Sequence, residues 1–276
     1  MPAHATVQDL LRQARARLPA GEAELLLAHA LGRSPTWLIA FGEQVPSVQE
    51  QARFQELVAR RAAGEPVAYL TGRRGFWTLD LAVGPEVLIP RPETELLVEL
   101  ALARLAGDRP LDVLDLGTGS GAIALALASE RPRARVLAVD ASEAALALAR
   151  GNAQRNGIDN VAFAHGDWYA PAGAARFHLI ASNPPYIADG DPHLLQGDLR
   201  HEPAMALSCG ADGLAAIRVI AAGAPARLHP GGWLLIEHGW EQGEAVRALL
   251  GEAGLGEVQT ARDLEGRERV TLGRAG

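Results

Sequence analysis

The chain has 276 residues, 48% of them hydrophobic and 21% charged, which is the balance of a globular protein with a substantial core. All 26 basic residues are arginines and Cys209 is the single cysteine, so a lysine base, a P-loop lysine, an internal disulfide and a cysteine-held iron–sulfur cluster are excluded, and no apolar run is long enough to span a membrane. The net charge of −7 is uneven: residues 1–75 carry 9 arginines and 7 acids, whereas the remainder carries 17 and 26, and so acidic a remainder predicts no direct nucleic-acid binding.

The first 72 residues predict a small bundle of about four helices. Apolar residues recur at helical spacing from Val7 to Leu18 and again from Ala23 to Ala30. Ser47 with Glu50 three residues later has the signature of a capping box ahead of a further helix. Because nothing in this segment carries a catalytic motif, we expect residues 1–72 to form a separate domain that docks a partner.

Residues 73–90 have a different character, since glycines and prolines interrupt any helical pattern. The segments 76–79 and 81–83 predict a β-hairpin, which we interpret as a linker between two domains. A helix is expected from Glu93 onward, and residues 91–276 are expected to form the second domain.

Strand and helix patterns alternate through the second domain, which predicts an α/β fold with a mostly parallel sheet and helices on both faces. Strands are predicted at 111–116, 135–139, 161–164, 176–181, 232–237, 257–261 and 268–272. Helices are predicted at 120–129, 142–155, 212–227 and 240–251.

A glycine-rich loop follows the first of these strands, with the sequence Gly117-Thr118-Gly119-Ser120-Gly121. Alternate glycines let the backbone turn sharply and let a ligand approach closely, and the helix that follows presents unpaired N–H groups. Such a loop holds either the pyrophosphate of a dinucleotide or the amino-acid end of S-adenosylmethionine.

Acidic residues end the next two strands. Asp140 is placed to accept the two hydroxyls of a ribose, although it could instead cap the helix after Ser142. Asp167 and Trp168 follow the third strand, where an acid can accept adenine's exocyclic amine and an aromatic ring can cover the base. The alternative is a turn aspartate beside a core tryptophan.

The tetrapeptide Asn183-Pro184-Pro185-Tyr186 ends the fourth strand. The side-chain oxygen of Asn183 and the main-chain carbonyl of Pro184 offer two adjacent acceptors, which suit a planar –NH2 group, and Tyr186 would flank its π-system. A strand that ends in a simple proline turn is the alternative. With the preceding elements, this order favours a methyl donor beside an acceptor nitrogen.

Together, the glycine loop, Asp140, Asp167-Trp168 and the Asn-Pro-Pro-Tyr sequence resemble those of the class I S-adenosylmethionine-dependent amino-methyltransferases. The stretches 66–72, Pro-Val-Ala-Tyr-Leu-Thr-Gly, and 88–95, Leu-Ile-Pro-Arg-Pro-Glu-Thr-Glu, further resemble the bacterial release-factor glutamine methyltransferases, the HemK/PrmC group. With the helical N-terminus and the ending at 262–270, the likeness covers essentially the whole chain.

The resemblance implies a class I methyltransferase fold with a Rossmann-like, mostly parallel seven-stranded sheet. It implies a cytoplasmic enzyme of translation termination that uses S-adenosylmethionine, releases S-adenosylhomocysteine and methylates N5 of the glutamine in the Gly-Gly-Gln motif of class 1 peptide chain release factors. The expected cofactor-binding residues are Gly117, Thr118, Gly119, Ser120, Gly121, Asp140, Asp167, Trp168 and Asn183. Asn183, Pro184, Pro185 and Tyr186 are expected to bind the substrate, and Asn183, Pro184 and Tyr186 to be catalytic.

Three other functions remain open from the sequence: an adenine-N6 DNA or RNA methyltransferase, a nicotinamide-dependent oxidoreductase and a non-catalytic docking protein. No metal site is expected, because the histidines are scattered, and His238 is expected to be solvated. Residues 188–212 are expected to be either a substrate lid or a long connector. Gly75 stands where the family often has an acid, so no substrate contact is assigned to Phe76.

Overall fold

The computed structural model describes residues 5–105 and 110–276. The chain divides into two compact units, Met1–Arg73 and Arg74–Gly276. Among the described residues, no helix combines the length and the apolar character that crossing a membrane requires.

The first unit is all helical. In its described residues the helices are α1 (Val7–Arg15), α2 (Glu22–Leu31), α3 (Pro35–Ala40), α4 (Val48–Ala62) and α5 (Val67–Thr71). The predicted capping box at the start of α4 is confirmed, because the amide of Glu50 donates to Ser47 Oγ at 3.3 Å and the amide of Ser47 donates to Glu50 Oε2 at 2.8 Å. The short α5 was not predicted, because Pro66 and Gly72 indicate helix boundaries and the helix occupies only the five residues between them.

A hairpin of β1 (Arg73–Phe76) and β2 (Leu79–Ala82) begins the second unit. Phe76 and Leu81 are buried in the core of this unit. Asn152 fixes the hairpin to the second unit, because its carboxamide accepts from the amide of Ala82 at 2.7 Å and donates to the carbonyl of Ala82 at 3.0 Å. Residues from Arg74 onward therefore belong to the second unit, with the hairpin as part of its core.

The second unit contains a seven-stranded sheet with the strand order β5-β4-β3-β6-β7-β9-β8. The strands are β3 (Asp112–Leu116), β4 (Arg135–Asp140), β5 (Val161–His165), β6 (Phe177–Ser182), β7 (Leu228–Glu237), β8 (Gly256–Arg262) and β9 (Glu268–Arg274). In the described residues, β9 pairs antiparallel with both β7 and β8, and the other strand pairs of the sheet are parallel. The predicted mostly parallel sheet is confirmed.

The described residues of this unit form five helices: α6 (Thr94–Arg104) precedes β3, and α7 (Ala122–Glu130), α8 (Glu143–Arg155), α9 (Ala215–Arg227) and α10 (Gly243–Glu252) each connect two consecutive strands of the sheet. Two separate apolar clusters pack on the sheet, one that includes α6 and α7 and one that includes α9 and α10. The helices thus cover both faces, as the alternating pattern predicted.

The strand order reverses between β3 and β6. From β3 the chain proceeds outward to β4 and β5, then returns to β6 on the other side of β3 and continues to β7. In sheets of this kind, ligands bind outside the carboxyl ends of the strands at the point of reversal. The glycine loop after β3 and the tetrapeptide after β6 therefore lie side by side.

Candidate active site

The glycine loop is held in a fixed conformation by main-chain hydrogen bonds. The amides of Gly117 and Thr118 both donate to the carbonyl of Val139, at 2.9 and 3.0 Å. Gly121 has a φ of 87°, and a Cβ there would lie 3.0 Å from Leu125 and 3.3 Å from Ala149. Only glycine meets both requirements at this position, because the left-handed backbone and the close helix packing both disfavour a side chain. The loop is therefore pre-shaped.

Asp140 organises this loop. One oxygen of its carboxylate accepts from the amide of Gly119 at 2.8 Å, and the other accepts from the amide of Ser142 at 2.8 Å. The residue that caps α8 is Ser142, whose hydroxyl oxygen accepts from Ala145. Each carboxylate oxygen can accept a further hydrogen bond, so Asp140 keeps capacity for a diol.

Most of the predicted site residues line one cavity at the carboxyl edge of the sheet. Those on its surface are Gly117, Thr118, Gly119, Ser120, Asp140, Asp167, Trp168, Asn183 and Pro185. Gly121, Pro184 and Tyr186 do not line it. Gly121 instead packs beneath the loop, and Pro184 is buried.

Trp168 adopts an unusual backbone conformation beside the glycine loop. Its φ is 42°, in the left-handed region that costs a bulky residue of order 1–3 kcal/mol. Its ring lies 3.8 Å from where a Cβ on Gly117 would be. Strain of this kind persists where the surroundings fix it, and here it brings an aromatic ring against the loop.

The two polar atoms of the Asn183 carboxamide differ in their hydrogen bonding. Its Nδ2 donates to Thr94 Oγ1 at 3.2 Å. Its Oδ1 is buried and has no hydrogen-bond partner among the described residues. A buried acceptor without a partner costs about 1–3 kcal/mol, so this atom is arranged for a donor that comes from outside the chain.

Tyr186 is held from two sides. Its carbonyl accepts from Gln242 Nε2 at 2.9 Å, and Gly213 approaches so closely that a Cβ there would lie 2.2 Å from the same oxygen. Burial raises the pKa of the Tyr186 phenol well above its ordinary value of 10.0, so the phenol is neutral at physiological pH. Its ring packs with the core cluster that includes Leu214 rather than against the cavity.

Two carboxyl groups near the strand ends are fully buried. Burial raises the pKa of Asp115 to about 7, although the Thr118 hydroxyl donates to it at 2.7 Å. Burial likewise raises the pKa of Glu237 to about 7, although Thr94 and Arg269 act in the opposite direction. In the part of the chain that the structure describes, each has one oxygen without a hydrogen-bond partner. The expectation that the neighbouring His238 is solvated was wrong: it is fully buried, with Nε2 2.8 Å from Thr271 Oγ1.

The connection after Tyr186 is tied to the stretch 88–95. The buried carboxylate of Glu202 accepts from the amide of Ile89 at 3.2 Å and pairs with the guanidinium of Arg91. Met205 and Ala206, which follow it, line the cavity. The stretch 88–95 was recognised in the sequence, but its contact with Glu202 could not be predicted because Glu202 lies far away in the chain. The same stretch places Arg91 and Thr94 on the cavity surface.

We expect Arg91→Ala to lower the free energy of unfolding by about 2–3 kcal/mol. Removing one partner of a buried pair typically costs about 3–5 kcal/mol because a charge is left without compensation. The loss should be smaller here because the Arg91 side chain is 29% exposed. Denaturant titration measures it.

Arg218→Ala is the matched control, because Arg218 pairs with Asp212 at the surface and exposed pairs contribute under about 1 kcal/mol. Adding Glu202→Gln to Arg91→Ala should restore part of the stability. Equal losses of stability in Arg91→Ala and Arg218→Ala would contradict the conclusion that the pair of Arg91 and Glu202 anchors the connection after Tyr186.

A cluster at the opposite edge of the sheet has metal-ligand chemistry. Asp112, His178 and His229 bring ligand atoms within 4.8 Å of one another. Both oxygens of Asp112 already accept from Arg135, at 2.7 and 2.8 Å, and the amide of Asp112 donates to His178 Nδ1 at 3.0 Å. Asp112 and His178 therefore already have hydrogen-bond partners within the protein.

The sheet order, the pre-shaped glycine loop and the carboxylate at the end of β4 define the second unit as a class I methyltransferase domain. Comparison with known proteins agrees: residues 93–200 match the family model described as the methyltransferase small domain, and residues 3–72 match the PrmC N-terminal domain. Two solved structures share the fold, each with a TM-score of 0.54. They are a Thermus thermophilus 16S rRNA methyltransferase, solved with AdoMet and guanosine (24% identical, 74% of this chain and 50% of that one), and a Pyrococcus furiosus methyltransferase (18% identical, 79% and 97%).

Curated relatives narrow the family. Release factor glutamine methyltransferases from Xylella fastidiosa, Pseudomonas aeruginosa and Escherichia coli are 57%, 54% and 50% identical to this chain. The alignments cover 96%, 91% and 97% of this chain and 96%, 91% and 98% of the relatives. The chain belongs to the release factor glutamine methyltransferases, which are S-adenosylmethionine-dependent protein-glutamine N5-methyltransferases.

Proposed function

We propose that this enzyme transfers a methyl group from S-adenosylmethionine to N5 of the glutamine in the Gly-Gly-Gln motif of class 1 peptide chain release factors. The observation that carries the proposal is Asn183, a residue of the cavity lining whose buried Oδ1 has no hydrogen-bond partner within residues 5–105 and 110–276. A primary amide donates two N–H bonds, and an acceptor-only atom at a methyltransferase's strand edge is complementary to one of them.

The residues on the cavity surface fit the cofactor. The pre-shaped loop from Gly117 to Gly121 would hold its amino-acid end, and Asp140 would accept from its ribose hydroxyls. Asp167 and Trp168 would contact the adenine, with the strained backbone of Trp168 keeping its ring beside Gly117. When bound, S-adenosylmethionine supplies an electrophilic methyl group on a sulfonium.

The protein's task is to make a poor nucleophile react. An amide nitrogen is weakly nucleophilic because its lone pair is delocalised into the carbonyl. Hydrogen bonds from the two N–H groups to Asn183 Oδ1 and to the Pro184 carbonyl would stabilise the positive charge that builds on nitrogen. They would also hold the nitrogen in line for attack, and orientation of this kind is worth up to about 7–11 kcal/mol.

The proton leaves after the new bond has formed. An N-methylated, positively charged amide nitrogen is acidic, so water suffices to accept its proton. Tyr186 is not the base, because its raised pKa keeps the phenol neutral and its ring lies away from the cavity surface. Its place in the mechanism is to fix the backbone that carries the two acceptors.

The helical unit is proposed to dock the body of the release factor in the cytoplasm, where translation terminates. Four apolar side chains around α3 and the start of α4 are exposed: Ile39, Phe41, Val45 and Val48. Exposed apolar residues grouped in one segment are typical of protein-interaction surfaces. In this proposal the cavity binds the glutamine side chain, and the exposed apolar segment binds the body of the protein substrate.

The proposal is tested by intact-mass analysis of a class 1 release factor incubated with the enzyme and S-adenosylmethionine. We expect a gain of one methyl group that maps to the Gly-Gly-Gln peptide, and no gain in a release factor whose motif glutamine is replaced by glutamate. The isolated peptide should be methylated with a much higher KM than the full-length factor. Methylation of duplex DNA or RNA adenine instead would favour the adenine-N6 alternative and contradict the proposal.

A further inference from the structure

The carboxamide of Asn183 can adopt two orientations, and only one leaves an acceptor atom available. With Nδ2 toward Thr94, the free atom is Oδ1, which suits an incoming N–H group. If the carboxamide were turned by 180°, Nδ2 would take the place of Oδ1 and would repel that donor. Something in the protein must therefore select the orientation.

Thr94 is placed to make that selection. It begins α6, its side chain is buried, and it lies on the cavity surface. A hydroxyl has one hydrogen to donate and two lone pairs. If the hydrogen is used elsewhere, only lone pairs face Asn183, and Asn183 must then present its –NH2 side.

Glu237 can use that hydrogen. Hydrogen bonding by the Thr94 side chain is among the influences that lower the pKa of the Glu237 carboxyl group, which is only 1% exposed. The sheet register explains the proximity: Ser182 of β6 pairs with Ile236 of β7, so the next residues, Asn183 and Glu237, leave the same edge together. An ionised carboxylate only accepts hydrogen bonds, so it fixes the direction of the Thr94 hydroxyl.

We propose that Thr94 and Glu237 are positioning residues that hold the Asn183 carboxamide with Oδ1 toward the substrate amide. The proposal rests on the role given to Asn183 in the proposed function. It explains why a carboxylate is buried here at a cost and why Asn183 meets a hydroxyl rather than an apolar side chain. Neither residue touches the reacting atoms, so both act through Asn183.

The charge state of Glu237 gives a second consequence. Burial and the carboxylate of Glu93 raise its pKa, which is about 7. The Thr94 hydroxyl and the guanidinium groups of Arg269 and Arg91 act in the opposite direction, because they favour the charged form. Tyr186 also faces it, as a neutral phenol. When Glu237 is protonated it can donate to Thr94 instead of accepting, and the orientation of Asn183 is then no longer fixed. Turnover should therefore fall as the pH decreases through about 7.

Thr94→Val and Thr94→Ser test the pair, because valine has nearly the shape of threonine without the hydroxyl and serine keeps the hydroxyl. With a full-length release factor as substrate, we expect Thr94→Val to lower kcat about 10- to 100-fold. The KM for S-adenosylmethionine should change less than about threefold. Thr94→Ser should remain within about threefold of the wild-type kcat.

Glu237→Gln is the second test. Because glutamine does not titrate in this range, the variant should lose the fall in kcat below about pH 7 that the wild type shows. Three results would overturn the positioning role of Thr94 and Glu237. They are a wild-type kcat in Thr94→Val, equal losses of kcat in Thr94→Val and Thr94→Ser, and a pH profile of Glu237→Gln that is the same as that of the wild type. None of these results touches the proposed function, which fails only if the wild-type enzyme leaves the Gly-Gly-Gln glutamine unmodified.

Discussion

Asn183→Ala is expected to lower kcat by about 100-fold or more, because removing one preorganised hydrogen-bonding group from a reacting centre costs about 10²–10³ in rate. The variant loses the carboxamide oxygen, which has no partner among the residues that the structure describes, so the substrate amide keeps one acceptor instead of two. Affinity for S-adenosylmethionine should fall by no more than about fivefold, which corresponds to one neutral hydrogen bond. Single-turnover kinetics and calorimetric titration measure the two quantities separately.

Asn156→Ala is the control for loss of a carboxamide. Asn156 bonds to the carbonyls of Asp80 and Asn152, and it does not line the cavity. We expect a modest loss of stability and an unchanged kcat. If Asn183→Ala reduced turnover and cofactor affinity by the same factor, Asn183 would be a cofactor ligand and not the acceptor for the substrate amide.

Asp140→Ala is expected to raise the Kd for S-adenosylmethionine by about 10- to 100-fold. Hydrogen bonds to a charged group contribute about 1.5–3 kcal/mol each, and a ribose would donate directly to this carboxylate. The substitution also frees the amide of Gly119, which Asp140 holds at 2.8 Å, so the loop loses part of its fixed shape. At saturating cofactor, kcat should remain within a few-fold of wild type, because Asp140 does not contact the substrate amide.

Asp159→Ala serves as its control, since Asp159 is an exposed acid outside the cavity. Its removal changes the net charge in the same way and should leave the Kd unchanged. Should both substitutions weaken binding equally, the effect would be one of overall charge. A Kd unchanged in Asp140→Ala would show that the carboxylate only shapes the loop.

Much of the fold could be predicted because its determinants are local. The strands β3, β4, β5 and β6 are short, mainly apolar runs followed by a turn or loop, and the glycine loop and the tetrapeptide mark strand ends directly. The order of those ends along the chain was sufficient to place the loop, Asp140, Asp167 and Asn183 around one cavity, because parallel strands bring their carboxyl ends to one edge.

What could not be predicted depends on contacts between distant segments. In the sequence, Thr94 has the pattern of an ordinary first-turn residue of a helix. Only the fold brings its Oγ1 to within 3.2 Å of Asn183 Nδ2. Glu202 reads as a surface acid in a long connection, but it is buried against Arg91. His238 follows the end of a strand, where solvent is expected, yet β9 covers it through Thr271.

The central claim is that a substrate amide is held through both of its hydrogens by Asn183 and Pro184. A crystal structure of the enzyme with S-adenosylhomocysteine and a Gly-Gly-Gln peptide tests it most directly. The account predicts the glutamine nitrogen within about 3.2 Å of both Asn183 Oδ1 and the Pro184 carbonyl oxygen, facing the sulfur. A glutamine nitrogen bonded to neither oxygen, or an Asn183 carboxamide turned with Nδ2 toward it, would contradict the account.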